Sequence, residues 1–194
     1  MRQLTDEEMS SVFEKLKKFL GSELKRLMNP EDEETPLFRM IGRKVYFCEA
    51  SLVKFAAIFG KDKLMNIGLL LGQFSKKGKF RLGITALSLL AKYTNGKVWL
   101  KNSGEQNFLY GNHGLTAHIA RISDDTIRYS GVVVYNLANV PLGFGVLAKN
   151  PIELKQSNPS SIFVFNQADT GEYLRVEGGR EKAKNQSDDE ENED

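Results

Sequence analysis

Cysteine is nearly absent from this chain, as are histidine and tryptophan: one Cys, two His and one Trp stand among 194 residues. A lone Cys48 excludes an internal disulfide, and no Cys/His spacing closes a zinc site. His113 and His118 are five apart, whereas two ligands on one helical face need a separation of three or four, so no metal is expected. Cys48 ends the apolar run Val45-Tyr-Phe-Cys48 and is expected as a small core residue rather than a nucleophile. Gly143-Phe-Gly145 lacks the rest of a dinucleotide fingerprint and no lysine follows a glycine-rich turn in P-loop fashion, which leaves no cofactor to expect. Asp124-Asp125 falls in a polar turn that would not desolvate either carboxylate enough to tune it for acid–base work. No run of about 18 apolar residues is present to span a membrane, and Met1-Arg-Gln-Leu-Thr-Asp-Glu-Glu8 lacks the apolar centre of a signal peptide. These absences predict a cytosolic or nuclear protein with no membrane partner and no enzymatic site.

Charge is plentiful but unevenly placed. The net charge is +2, yet Asn185 to Asp194 hold six acids (Asp188, Asp189, Glu190, Glu191, Glu193, Asp194) and no base, so the rest of the chain carries +8. A basic body of that size suits RNA binding or simple solubility. The tail, residues 177–194, is too polar to pack and is expected to be disordered, with Ser187, directly before acids in Ser187-Asp-Asp-Glu190, as a candidate acidophilic-kinase site. It would act as a solubilising segment or compete with RNA for the basic body.

Hydrophobic residues make up 41% of the chain, enough for a real core. Thr5 with Glu8 three residues on predicts a capping box, and Phe13, Leu16, Leu20, Leu24 and Leu27 share one face of the helix that follows. Gly21 should weaken this helix and Asn29-Pro30 should end it. Lys15, Lys18, Lys25 and Arg26 fall off the apolar stripe and are expected as a solvated outer face. After the acidic stretch Pro30 to Thr35, Leu37–Ile41 and Lys44–Phe47 flank Gly42-Arg43 as a hairpin. Ala50 to Phe59 then predicts a short helix. Ile67–Phe74 and Lys79–Leu82 form a second hairpin across Ser75-Lys-Lys-Gly78, followed by a helix over Ile84–Ala91. That turn gathers Lys76, Lys77, Lys79 and Arg81, which suits phosphate contact and equally well protects a strand edge from aggregation. Tyr93-Thr-Asn-Gly96 is a turn-rich break, placing a boundary between residues 1–94 and 95–176.

Beyond the break, Gly131-Val-Val-Val-Tyr-Asn136 and Pro141-Leu-Gly-Phe-Gly-Val146 are β-branched, aromatic-rich runs joined by Leu137 to Val140, which predict paired strands of a small curved sheet. Together with Lys97-Val-Trp-Leu-Lys101, Glu105-Gln-Asn-Phe-Leu-Tyr-Gly-Asn-His113 and Phe163 to Arg175, in that order and spacing, they resemble a PUA domain, the pseudo-barrel of RNA-modifying enzymes and ribosome-assembly factors. Adding Met1-Arg-x-Leu-Thr-x-Glu-Glu8, Lys79-Phe-Arg-Leu-x-Ile-Thr-Ala-Leu87 and Gln167-Ala-Asp-x-Gly-Glu-Tyr173, residues 1 to about 176 resemble the eukaryotic large-ribosomal-subunit biogenesis factors of the Nip family. From Val176 onward the chain departs from that pattern, and residues 30–35 are unusually acidic for it.

The resemblance implies an α+β protein: a mixed antiparallel α/β domain over 1–94, a PUA pseudo-barrel over 95–176, and the acidic tail. It implies a non-catalytic factor that binds precursor ribosomal RNA and pre-60S assembly proteins during rRNA processing, in the nucleus and nucleolus, as a monomer within a large ribonucleoprotein. The implied RNA face spans Phe108–Leu115 and Gly143–Lys155. Within it Gly111 and Gly114 would admit phosphates to backbone amides, Asn112 and His113 would add hydrogen bonds, and Lys149 and Lys155 would supply charge. Lys76, Lys77, Lys79 and Arg81 are a possible secondary RNA contact. Phe108, Leu109, Tyr135, Phe144, Phe163 and Phe165 are expected in the barrel core rather than as stacking platforms, and Trp99 likewise. The alternative from another class is a PUA-bearing RNA-modification enzyme or its accessory subunit, which needs a catalytic aspartate, and the N-terminal half offers only Asp6, Asp32 and Asp62. A translation-initiation adaptor is a third reading.

Overall fold

The computed structural model describes residues 1–27, 37–56, 58, 64–124 and 126–175. The acidic stretch 30–35, Asp62, Asp125 and the tail with Ser187 lie outside the described residues. Helix α1 (Asp6–Leu20) starts on the predicted capping box: the Glu8 N–H donates to Thr5 Oγ1 at 3.3 Å and the Thr5 N–H donates to the Glu8 carboxylate at 2.9 Å. Gly21 does more than weaken the helix. At φ +54° it breaks it, and a separate helix α2 (Glu23–Leu27) carries the chain on. The predicted single amphipathic helix is therefore two.

Four antiparallel strands follow in the order β1 (Leu37–Ile41), β2 (Lys44–Cys48), β3 (Leu69–Phe74) and β4 (Phe80–Leu82), so both predicted hairpins are present. Helix α3 covers Ala50–Ala56, shorter than the predicted span, whose remainder includes undescribed residues. Residues Ile84–Ala86 tighten into a 3₁₀ turn before helix α4 (Leu87–Tyr93), which corrects the uniform helix expected over 84–91.

The second sheet contains β5 (Lys97–Leu100), β6 (Gly114–Leu115), β7 (Ile119–Ile122), β8 (Gly131–Tyr135), β9 (Pro141–Leu147) and β10 (Ile162–Asp169), in the order β6-β10-β9-β8-β5-β7. Helix α5 (Asn102–Leu109) lies between β5 and β6 in the chain. Only β5 and β8 pair in parallel, and three of the antiparallel pairings involving β8, β9 and β10 carry register shifts, which bend the sheet toward a barrel. The glycines of β9 serve that curvature. A Cβ on Gly145 would run into the Phe165 carbonyl of β10, and one on Gly143 into the Ala168 carbonyl.

Val98, Leu100, Phe108, Leu147 and Phe163 fill the inside of this curved sheet. A second apolar cluster joins Leu16, Phe19 and Leu20 of α1, Phe38, Val45, Leu71 and Phe80 of the first sheet, and Leu90 of α4 to Val133, Tyr135, Phe144 and Ala168 of the second sheet. Phe19 meets Phe144 edge to face at 5.4 Å, and Thr94 Oγ1 donates to the Phe19 carbonyl at 2.8 Å. The two sheets thus share one core through α1 and α4.

Two aromatic residues depart from expectation. Trp99 is half-buried rather than core: its ring stacks on Tyr135, the Arg121 guanidinium lies 3.8 Å from its centre, and its Nε1–H donates to Asn139 Oδ1 at 2.8 Å. Phe165 is 38% exposed, although Phe163 two residues earlier is fully buried. Phe165 lies between two irregularities of β10, a register shift against β6 between Ile162 and Val164 and one against β9 between Asn166 and Ala168, so regular alternation does not carry through it. Phe108, Tyr135, Phe144 and Phe163 are buried as expected, and Leu109 is half-buried.

Candidate nucleic-acid interface

Helix α5 runs out at Leu109, and the chain reaches β6 through Tyr110, Gly111, Asn112 and His113, all exposed. Gly111 sits at φ +90°, a conformation that side-chain-bearing residues rarely adopt, so this turn needs glycine for backbone reasons alone. Asn112 Nδ2 donates to Asn107 Oδ1 at 2.8 Å, tying the turn back to α5.

Strand β10 holds the turn from below. Asn166 Nδ2 lies within 3.2 Å of the carbonyl oxygens of Phe108 and Asn112 and of Asp169 Oδ2. The Asn166 backbone N–H donates to His113 Nδ1 at 3.2 Å, which leaves His113 Nε2 as the ring's outward donor in the neutral form. The His113 ring also meets Phe165 edge-on at 5.5 Å. Asp169 is buried to 2% exposure; its Oδ2 takes the Arg175 guanidinium at 2.9 Å, and Arg175 Nη1 donates to the Leu109 carbonyl. Asp169 pushes the Arg175 guanidinium above its ordinary value through that hydrogen bond. A buried carboxylate, an amide and a guanidinium therefore fix the exposed turn. An open groove between α5 and the helical residues 171–175, lined by Gln106, Leu109, Tyr110 and Leu174, continues the same surface.

The cations expected here are placed unevenly. Lys149 is half-buried and donates to Ser161 Oγ at 2.8 Å; Ser161 also contacts Thr116, just past β6. Lys149 thus belongs to the β6–β10 edge, on the Leu115 side of the turn. Lys155 is exposed at the end of the 3₁₀ turn Pro151–Lys155, and no described contact ties it to Gly111–His113. Gly114 is buried in β6 against the Val164 side chain, inside the ladder rather than on the surface. Lys76 and Lys77 occupy the exposed β3–β4 turn, whereas Lys79 and Arg81 line a cleft with Lys15 and Gln167. Sequence reasoning missed Phe165 as a surface aromatic and Asn166, Asp169 and Arg175 as the support of the turn. The signal was there, since Asn166-Gln-Ala-Asp169 sets polar residues into an otherwise apolar strand.

On this surface the aromatic edge of His113 and the exposed Phe165 ring offer stacking, the turn offers backbone and amide hydrogen bonds, and Lys149 offers positive charge. Residues 1–84 match the family described as the NIP7/UPF0113 pre-PUA domain, and residues 96–178 match the UPF0113 PUA domain. The chain is 48% identical over 177 residues to the 60S ribosome subunit biogenesis protein NIP7 homolog of Xenopus tropicalis, covering 91% of this chain and 98% of that protein. It is 45% identical over the same length and shares to the 60S ribosome subunit biogenesis protein nip7 of Schizosaccharomyces pombe. Among solved structures, a PUA domain from Aeropyrum pernix K1 in a tartrate complex superposes at a TM-score of 0.54 with 14% identity, covering 88% of this chain and 85% of that one. A conserved PUA domain protein from Thermoplasma acidophilum superposes at 0.51 with 12% identity, covering 90% and 97%.

Proposed function

The chain belongs to the NIP7 family, and from that premise we propose that it is a non-catalytic RNA-binding assembly factor in pre-rRNA processing and 60S ribosomal subunit biogenesis. It acts in the nucleus and nucleolus, as a monomer that binds precursor rRNA and pre-60S assembly proteins within a larger particle. The PUA half, residues 95–176, supplies the RNA face: Gly111, Asn112 and His113 in the turn, Lys149 at its edge and Lys155 beyond it, with Gly114 buried in the β6 ladder behind them. The exposed Phe165 ring beside His113 is the observation that carries the reading. An apolar ring exposed next to hydrogen-bonding groups suits a splayed base of single-stranded RNA. The enzyme alternative needs a desolvated aspartate in the N-terminal half, and Asp6, the described one, is exposed in the first turn of α1.

Fluorescence anisotropy with a labelled uridine-rich single strand tests this. Base–aromatic stacking contributes about 1–3 kcal/mol, so Phe165→Ala should weaken binding by about 5- to 150-fold with little change in Tm. Undiminished affinity in the folded variant would remove Phe165 from the interface.

A further inference from the structure

Lys15 of α1, Lys79 and Arg81 at β4, and Gln167 of β10 converge on a cleft where the N-terminal half meets β10. Three separate segments of the chain supply these side chains, with Lys79 and Arg81 on the same hairpin arm, and the shared core brings the segments together. None of the three cations has a hydrogen bond or ion pair from its side chain among the described residues. Lys15 is half-buried; burial first, then Lys18 and Lys79, push its ammonium below its ordinary value. Three like charges gathered in a concave site, without a carboxylate lining it, repel one another and are relieved by an anion. A guanidinium fork, two ammonium groups and an amide are the donor set that a phosphate takes.

We propose that this cleft holds backbone phosphate of the bound RNA, extending the RNA path from the PUA face onto the N-terminal half. The inference rests on the RNA-binding reading above and adds a second contact to it. RNA is favoured over a free anion by continuity along β10. Gln167 and Phe165 are both exposed and lie on either side of Asn166 in β10, Gln167 at the register shift against β9, so the same strand carries the stacking face and a lining residue of the cleft. Lys76 and Lys77 stand off the cleft in the turn, where they steer rather than ligate.

The test uses the full chain and a labelled 20-nucleotide uridine-rich strand, with Lys15→Gln/Arg81→Gln and, as a second variant, Lys79→Gln. Each lost phosphate contact should lower the slope of log affinity against log salt by about 0.7, so the double variant should bind about 5–10-fold more weakly at low salt. Phe165→Ala in the same assay reports on the PUA face separately. Wild-type affinity and slope in both folded cleft variants, with Phe165→Ala still impaired, would overturn the cleft and leave the function intact. No RNA binding by the wild-type chain would overturn both. A titration with inorganic pyrophosphate followed by NMR separates the sources. Shifts at residues 79–82 together with unchanged RNA affinity of the cleft variants would assign the cleft to a free anion and overturn the RNA path.

Discussion

Glu8 does two jobs with one carboxylate: it accepts the Thr5 N–H at the start of α1 and two hydrogen bonds from Arg2, at 2.7 and 2.6 Å. Foremost the Arg2 guanidinium, then the Thr5 N–H, hold its pKa down at about 2, below the ordinary 4.5. A depressed carboxylate stabilises the fold above its unfolded pKa and loses that contribution as pH falls through the folded one. Thermal melts of wild type and Glu8→Gln should therefore differ at pH 7, and the gap should narrow as pH drops from about 4.5 toward about 2. A constant gap across that window would contradict the assignment. The capping box was legible from Thr5 and Glu8 spacing alone, because both partners lie within one turn of helix. Arg2 was not, since its place depends on a backbone pairing with Met40 across the fold. Phe165 was misjudged for a related reason: alternation puts it on the same face as Phe163, and the register shifts of β10 on either side of it depend on pairing with β6 and β9 that the local pattern does not contain.

Among the elements, strands and hairpins were legible wherever alternation and turn residues agreed, as in β1–β2 across Gly42-Arg43 and β8–β9 across Asn136–Val140. Helix continuity was less so. Gly21 ends α1 by taking a positive φ that periodicity alone does not signal, and the 3₁₀ turn at Ile84–Ala86 buries Ile84 and Ala86 in the core. The β9 glycines are the clearest element-scale device. Gly145→Ala would press a methyl group onto the Phe165 carbonyl backbone, which cannot give way as a flexible side chain would. Overpacking of this kind costs about 1–3 kcal/mol, so the midpoint of urea unfolding should drop, and amide exchange at Val164–Asn166 should accelerate. Unchanged stability would mean that β9 and β10 can separate without loss.

At the scale of the whole molecule, the two sheets share no strand yet do share a core. Phe19 is the joint: its ring meets Phe144 and lies so close to Gly131 that a Cβ there would stand 2.5 Å from it. The predicted stripe of α1 ran Phe13, Leu16, Leu20 and omitted Phe19, because one helix buries two faces when sheets pack on both of its sides. Phe19→Ala should cost about 3–5 kcal/mol and lower near-ultraviolet signals from both halves together. Loss confined to the N-terminal half would contradict a shared core. Order and charge were legible at this scale, whereas the joining of α1 to β8 and β9, which assembles the Lys15, Lys79, Arg81 and Gln167 cleft, was not.

On the proposed function, the turn after α5 and the outward face of β10 receive single-stranded RNA. Ultraviolet crosslinking of the full chain to a uridine-containing strand, with the adducts assigned by mass spectrometry, tests it most directly. Adducts are expected within residues 108–115 and 162–169, at His113 and Phe165 above all. Saturable RNA binding with every adduct outside those two segments would contradict it.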